Sequence, residues 1–238
     1  MQKSLITCVT LALISFSLNA QTVTDFFPKA DAFLKKYVTH GSVAYAKVKQ
    51  SKDIDALYQE IGTISLAQAA DVEKMAFYIN AYNLIVIYYA AKHYPLKSPL
   101  DQSGFFDMVK HRVAGEEMTL NSLEIKKLLA TYKDARFHFA LACAAKSCPP
   151  LASFAYTPQL LEKQLQERAM AALNNPLWLK VNARNKKVEL SKIFEWYKKD
   201  FTAGGKTEIE WINTFRKEKI PADFTVTYYE YDWRLNDQ

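Results

Sequence analysis

The chain is poor in glycine, histidine and cysteine, with six, four and three in 238 residues. With half of its residues apolar, so little glycine excludes a disordered chain and points to a packed globular domain. No CxxC and no HExxH occurs, so no metal ion and no other cofactor is expected. No basic block exceeds a few residues, and Lys and Arg are interspersed with Asp and Glu. The net charge of +6 therefore describes a solvated surface, and nucleic acid is not expected as a partner. Long apolar runs are also scarce. Residues 76–91 are uncharged but shorter than a membrane span and contain Asn80 and Asn83, which fits a buried core helix. There is no internal repeat and no low-complexity linker.

The N-terminus is the exception to this evenness. Lys3 precedes an uncharged stretch over residues 5–18, and Leu18-Asn19-Ala20 places a small residue before Gln21. That layout predicts a cleaved secretory signal over residues 1–20, and a periplasmic or secreted protein with no stable membrane span after cleavage. Cys8 leaves with the signal, and it lacks the small-residue context of a lipoprotein cysteine. Residues 21–238 then form one globular domain.

Apolar spacing predicts helices over residues 25–38, 51–61, 71–93, 119–132, 158–174, 191–201 and 207–217. Hairpins are expected over 110–119 and 177–190, an extended arm over 41–48, and a C-terminal strand over 224–233. Helices outnumber strands, and the two do not alternate in a βαβ rhythm. The expected fold is α+β: a single, mostly helical domain with short β-hairpins and a C-terminal strand.

The chemistry concentrates in residues 136–151, RFHFALACAAKSCPPL. His138 sits between Phe137 and Phe139, and the segment is compatible with a strand or a helix. Cys148 lies past a turn and before two prolines. It is the better nucleophile, with His138 as base, Ser147 donating a hydrogen bond, and Arg136 or Lys146 favouring the thiolate. Cys143 reads more as core. In an oxidising compartment Cys143 and Cys148 can instead pair as a disulfide, which removes the thiolate. Asn80 and Asn83 share one helix face and need buried partners, either a catalytic group or the backbone of a loop. Asp200 and Asp232 lie among aromatic residues, and either could orient His138, as could Glu124.

FYINAYN (77–83), TLNSLE (119–124), RFHFALACAAKSCPPL (136–151), LSKIFEWYKKDF (190–201) and YDWRLN (231–236) occur in an order that resembles the Domain of Unknown Function 547 family. The resemblance implies site residues Asn80, Asn83, Glu124, His138, Cys143, Ser147, Cys148, Trp196, Asp200, Asp232 and Trp233, but no activity. Two functions are consistent with these residues. One is a thiol-dependent hydrolase or acyl transferase, similar in layout and logic to papain or transglutaminase enzymes. There Cys148 attacks, His138 is the base, Asp232 or Glu124 orients it, and Asn80 helps hold the oxyanion. The other is a non-catalytic binding or scaffold domain for a small molecule or peptide, in which these motifs are structural.

Overall fold

The computed structural model describes residues 22–238; the expected export signal, Cys8 included, lies outside the described residues. Helix α1 (Val23–Tyr37) buries Phe26, Phe27, Ala30, Phe33 and Leu34 along one face, as their spacing requires. The expected extended arm is a hairpin instead, β1 (Val38–Thr39) with β2 (Ser42–Val43). His40 and Gly41 form its turn, both with positive φ. A Cβ on Gly41 would lie 2.6 Å from Pro150, so only glycine allows the turn to approach residues 149–151 so closely.

Two helices follow, α2 (Tyr45–Lys49) and α3 (Lys52–Thr63), the second capped by Ser51, whose side chain accepts from the Asp53 N–H. Helix α4 (Asp71–His93) keeps its predicted limits. Its Glu73 carboxylate accepts from the Ala70 N–H at 2.8 Å. Ile79, Leu84, Ile85 and Val86 are buried, which makes α4 the centre of the first core. No described helix is long and apolar enough to cross a membrane.

Strands β3 (Lys110–Val113) and β4 (Glu116–Thr119) form the expected hairpin. Residues 120–132 are helical but π-helical at the centre, over Leu123–Leu129. Helix α7 (Leu161–Leu173), named after the short flanking turns α5 (Leu120–Ser122) and α6 (Ala130–Tyr132), starts later than predicted. The Gln164 amide binds the Thr157 N–H and the Ala155 carbonyl, and so holds the preceding residues as a loop.

Strands β5 (Lys180–Asn182) and β6 (Lys187–Leu190) pair antiparallel, and β7 (Thr225–Tyr228) joins β6 in parallel. The crossover runs through α8 (Lys192–Trp196), α9 (Lys198–Phe201) and α10 (Glu208–Asn213). Helix α10 stops at Asn213, short of the predicted Lys217, because the Asn213 amide binds both backbone groups of Ile220. The last strand is also shorter than expected. Residues 232–235 leave β6 and pair with the 145–147 backbone: Lys146 N–H to Arg234 O at 2.8 Å, and Ser147 N–H to Asp232 O at 3.1 Å.

The fold is thus α+β, with two cores and one segment shared between them. Residues 136–151 are neither the strand nor the helix considered from sequence. A 3-10 turn (Ala135–Phe139) leads into irregular backbone. Phe137, Ala140, Leu141 and Ala144 pack into the first core, with α1 to α4. Phe139, Ala145 and Cys148 pack into the second, with Trp178, Phe194 and Phe201. Regular pairing is replaced by side-chain amides. Asn83 donates to the Ala140 carbonyl and accepts from the Ala142 N–H, both at 2.9 Å. The C-terminal tail then crosses back. Leu235 joins the first core, Asn236 accepts from the buried Tyr45 hydroxyl at 2.8 Å, and Asp237 bridges to Val43.

Candidate functional site

A cavity of about 460 Å³ opens at the seam between the two cores. His138, Leu141, Cys143 and Cys148 contribute one wall from the shared segment. Trp196 and Tyr197, at the α8–α9 junction, and Tyr231 and Trp233, from the departing C-terminal strand, contribute the wall opposite. The third side is the 102–107 loop, whose Phe106 carbonyl accepts from the Asn121 N–H at 2.8 Å and is thereby anchored to the helix carrying Glu124.

The aromatic wall is continuous. Trp196, Tyr231 and Trp233 have ring centroids 4.8–5.9 Å apart, and Phe106 lies 6.4 Å from Trp233. Trp196 is 48% exposed, which is unusual for a tryptophan in contact with other rings, and it stands at the open edge.

The polar end is built on His138, which is buried with its Nε2 2.8 Å from the Asp200 carboxylate. Its Nδ1 is 4.0 Å from Glu124, and the ring packs against Tyr197 at 4.1 Å between centroids, tilted by 39°. Asp200 therefore takes the orienting position that sequence reasoning also offered to Asp232 and Glu124. Glu124 stands on the far side of the ring, in the first turn of the π-helical segment, a geometry that recurs at functional sites. Burial raises the Glu124 carboxyl above its ordinary 4.5, against the opposing pull of His138 and of the Tyr197 and Tyr82 hydroxyls. Burial likewise pushes the Tyr197 and Tyr231 hydroxyls upward, so both remain protonated donors near neutrality.

Cys143 and Cys148 are joined as a disulfide, with sulfurs 1.96 Å apart. In this state Cys148 has no thiolate for His138 to activate. Cys148 is buried, and Cys143, expected as core, is the more exposed of the two and shares the cavity wall. The Cys148 sulfur accepts from the Cys143 N–H at 2.9 Å, and the Tyr231 hydroxyl lies 3.2 Å from it and 3.1 Å from the Cys143 sulfur.

The remaining expected site residues lie around the pocket rather than in it. Arg136 forms a two-carboxylate clamp with Asp134 and Glu162, at 2.7 and 2.6 Å, and so supports the segment instead of a thiolate. Asp232 is taken by Arg234, which holds its carboxyl down at about 2. Ser147 accepts from the Asp232 N–H at 2.8 Å instead of donating to Cys148. Asn80 spends its amide on the Tyr156 N–H and carbonyl and on the Ala76 carbonyl, far from any oxyanion role. Tyr82, Phe106, Asp107, Tyr197 and Tyr231 were missed from sequence. Tyr231 had a signal, its place in the YDW run, and Tyr197 had one in FEWY. Asp107 and Phe106 had none. Among the described residues no cluster of three or more His, Cys, Asp or Glu side chains could hold a metal ion.

An α+β domain whose seam segment lines an aromatic pocket ended by carboxylates is the class that fold and site define. Residues 66–171 match the model of the family described as "Protein of unknown function, DUF547". That span contains α4, the β3–β4 hairpin, the π-helical segment, the shared segment and most of α7. The aromatic wall at Trp196, Tyr231 and Trp233 lies outside it. No curated protein and no solved structure matches the chain.

Proposed function

We propose that this chain is a binding domain for a small organic cation with a flat apolar body. The observation that carries the proposal is the charge of the cavity. The chain is basic overall, yet the acidic side chains Asp107 and Glu124 line this pocket and no Lys or Arg does. An aromatic wall beside carboxylates attracts a cation twice, through the ring faces and through the carboxylates. The cavity volume of about 460 Å³ falls in the usual range for small-molecule sites, roughly 300–1,000 Å³. The alternative of a thiol hydrolase has less support, since Cys148 is disulfide-bonded and both His138 nitrogens face carboxylates. Export, as expected from residues 1–20, belongs to the same proposal: the ligand would be met outside the cytoplasm.

Tryptophan fluorescence provides the test, because Trp196 and Trp233 both line the pocket. Phenethylamine and benzamidine should change the emission saturably, whereas phenylacetate and benzoate should not. Trp196→Ala removes a half-exposed ring, so the fold should survive while affinity falls about tenfold, as for a cation–π contact of about 1.4 kcal/mol. Equal binding of the cations and the carboxylates would rule the proposal out.

The raised Glu124 carboxyl adds a pH signature. A carboxyl protonated to higher pH than usual attracts a cation only once it ionises, so phenethylamine affinity should strengthen as pH rises from the ordinary carboxylate range through the shifted value. Glu124→Gln should lose that rise and bind weakly at every pH. An unchanged pH profile in the variant would assign the effect to another group.

A further inference from the structure

We infer that the Cys143–Cys148 disulfide is a thiol–disulfide exchange site whose partner is a small thiol entering the aromatic pocket. The inference rests on the pocket being open to small molecules, as proposed above. Cys143 and Cys148 both line this cavity, so a small thiol that enters it meets the disulfide. The surroundings of the two sulfurs differ in a way that sets the direction of attack. Cys143 is the more exposed and is the sulfur an incoming thiolate meets. Cys148 is buried, and its sulfur alone accepts from the Cys143 N–H, at 2.9 Å, while the Tyr231 hydroxyl lies between the sulfurs, 3.2 Å from Cys148 and 3.1 Å from Cys143, free to donate to whichever becomes the thiolate. Donors aimed at a sulfur stabilise it as a thiolate and make it the better leaving group.

The step balances without a further reagent. A thiolate RS⁻ attacks the Cys143 sulfur, an R–S–S–Cys143 bond forms, and the Cys143–Cys148 bond breaks. The electron pair leaves on Cys148, whose thiolate accepts from the Tyr231 O–H. A second thiolate attacks the R sulfur of the mixed disulfide, releasing RSSR and the Cys143 thiolate. The protein gains two electrons and two thiols are oxidised to one disulfide. Run in reverse, a small disulfide restores the bond. The carboxylates of Asp107 and Glu124 on the same cavity favour a cationic thiol, so the reduction rates, each divided by the same thiol's rate with a free small disulfide to remove differences in thiolate fraction, should fall in the order cysteamine, mercaptoethanol, mercaptoacetate.

The sequence supplies the assay. Trypsin cleaves after Arg136, Lys146 and Lys163, which puts Cys143 on peptide 137–146 and Cys148 on peptide 147–163. The two peptides stay joined while the disulfide is intact and separate when it opens, and neither contains Cys8. The full chain is treated with cysteamine without denaturant, quenched with iodoacetamide and mapped by mass spectrometry. The expected result is opening in the folded protein, with the cysteamine adduct on peptide 137–146 at early times. Tyr231→Phe keeps the ring and should slow opening about tenfold, the effect of one hydrogen bond to a charged sulfur. Cys148→Ser treated with cystamine should accumulate a stable adduct on Cys143. Opening only under denaturing conditions, or an adduct first on 147–163, would overturn the inference. Equal normalised rates for the three thiols, with opening intact, would leave the exchange standing and count against the cation-selective pocket instead.

Discussion

Asn83→Ala will destabilise the protein by about 4 kcal/mol, because it leaves a buried carbonyl and a buried N–H unpaired at about 1–3 kcal/mol each and opens a small void. The two orphaned groups belong to Ala140 and Ala142, which flank Leu141 in the pocket wall. Urea denaturation measures the loss, and it is large against a typical domain stability of about 5–15 kcal/mol. Ligand binding should fall as well, even at temperatures where the variant is folded, because the wall is no longer held. Asn83→Asp should fare no better. It keeps the shape but cannot donate to the Ala140 carbonyl, and it buries a charge. A loss under about 1 kcal/mol for Asn83→Ala would mean that packing alone positions residues 140–142.

The second large effect is acid lability centred on His111. This histidine lies on β3, is 3% exposed, and packs edge-on against Tyr58 and Tyr89. Its Nδ1 is 3.0 Å from the Tyr58 hydroxyl, and its Nε2 has no hydrogen-bond partner in the protein. Burial holds its pKa down at about 4, against an ordinary 6.5. A histidine with a depressed folded pKa binds a proton more readily when unfolded. Its contribution is therefore complete above pH 6.5 and is lost as pH falls towards 4. A displacement of that size is worth about 3 kcal/mol over the whole window. Urea midpoints between about pH 7.5 and 4.5 should fall steeply in the native sequence. In His111→Gln, which does not titrate there, the decline should be much shallower. Parallel curves for the two proteins would assign the acid sensitivity to other groups.

Sequence periodicity located what is local. Helix α4 covers the predicted 71–93 with Pro95 just beyond it, the β3–β4 hairpin fills the predicted 110–119, and α3 and α8 begin within a residue of their predicted starts, capped by Ser51 and Ser191. It also placed Asn80 and Asn83 on one face and identified backbone as one of their two possible partners. What escaped it depends on pairings distant in sequence. Residues 232 and 233 end a run rich in strand formers, yet the 232–235 backbone bonds to 145–147, nearly ninety positions earlier, and no local pattern encodes that choice. The choice among Glu124, Asp200 and Asp232 as partner of His138 is partly of that kind, since Asp200 reaches His138 from 62 positions away, and partly local. All three have aromatic or apolar neighbours, but Arg234, two residues on, already satisfies Asp232. The short 3-10 and irregular course of 136–151 was illegible because one side-chain amide from α4, Asn83, nearly sixty positions away, bonds its backbone at Ala140 and Ala142.

The tail that crosses back to the first core bears on how this protein is made. Leu235, Asn236 and Asp237 complete a cluster whose other members begin at Val23. Those last residues are synthesised after nearly every other part of the fold, so the earliest segment to emerge waits longest for its final neighbours. Such long-range closure slows folding and leaves an interval in which the apolar edge beside Tyr45 is uncovered.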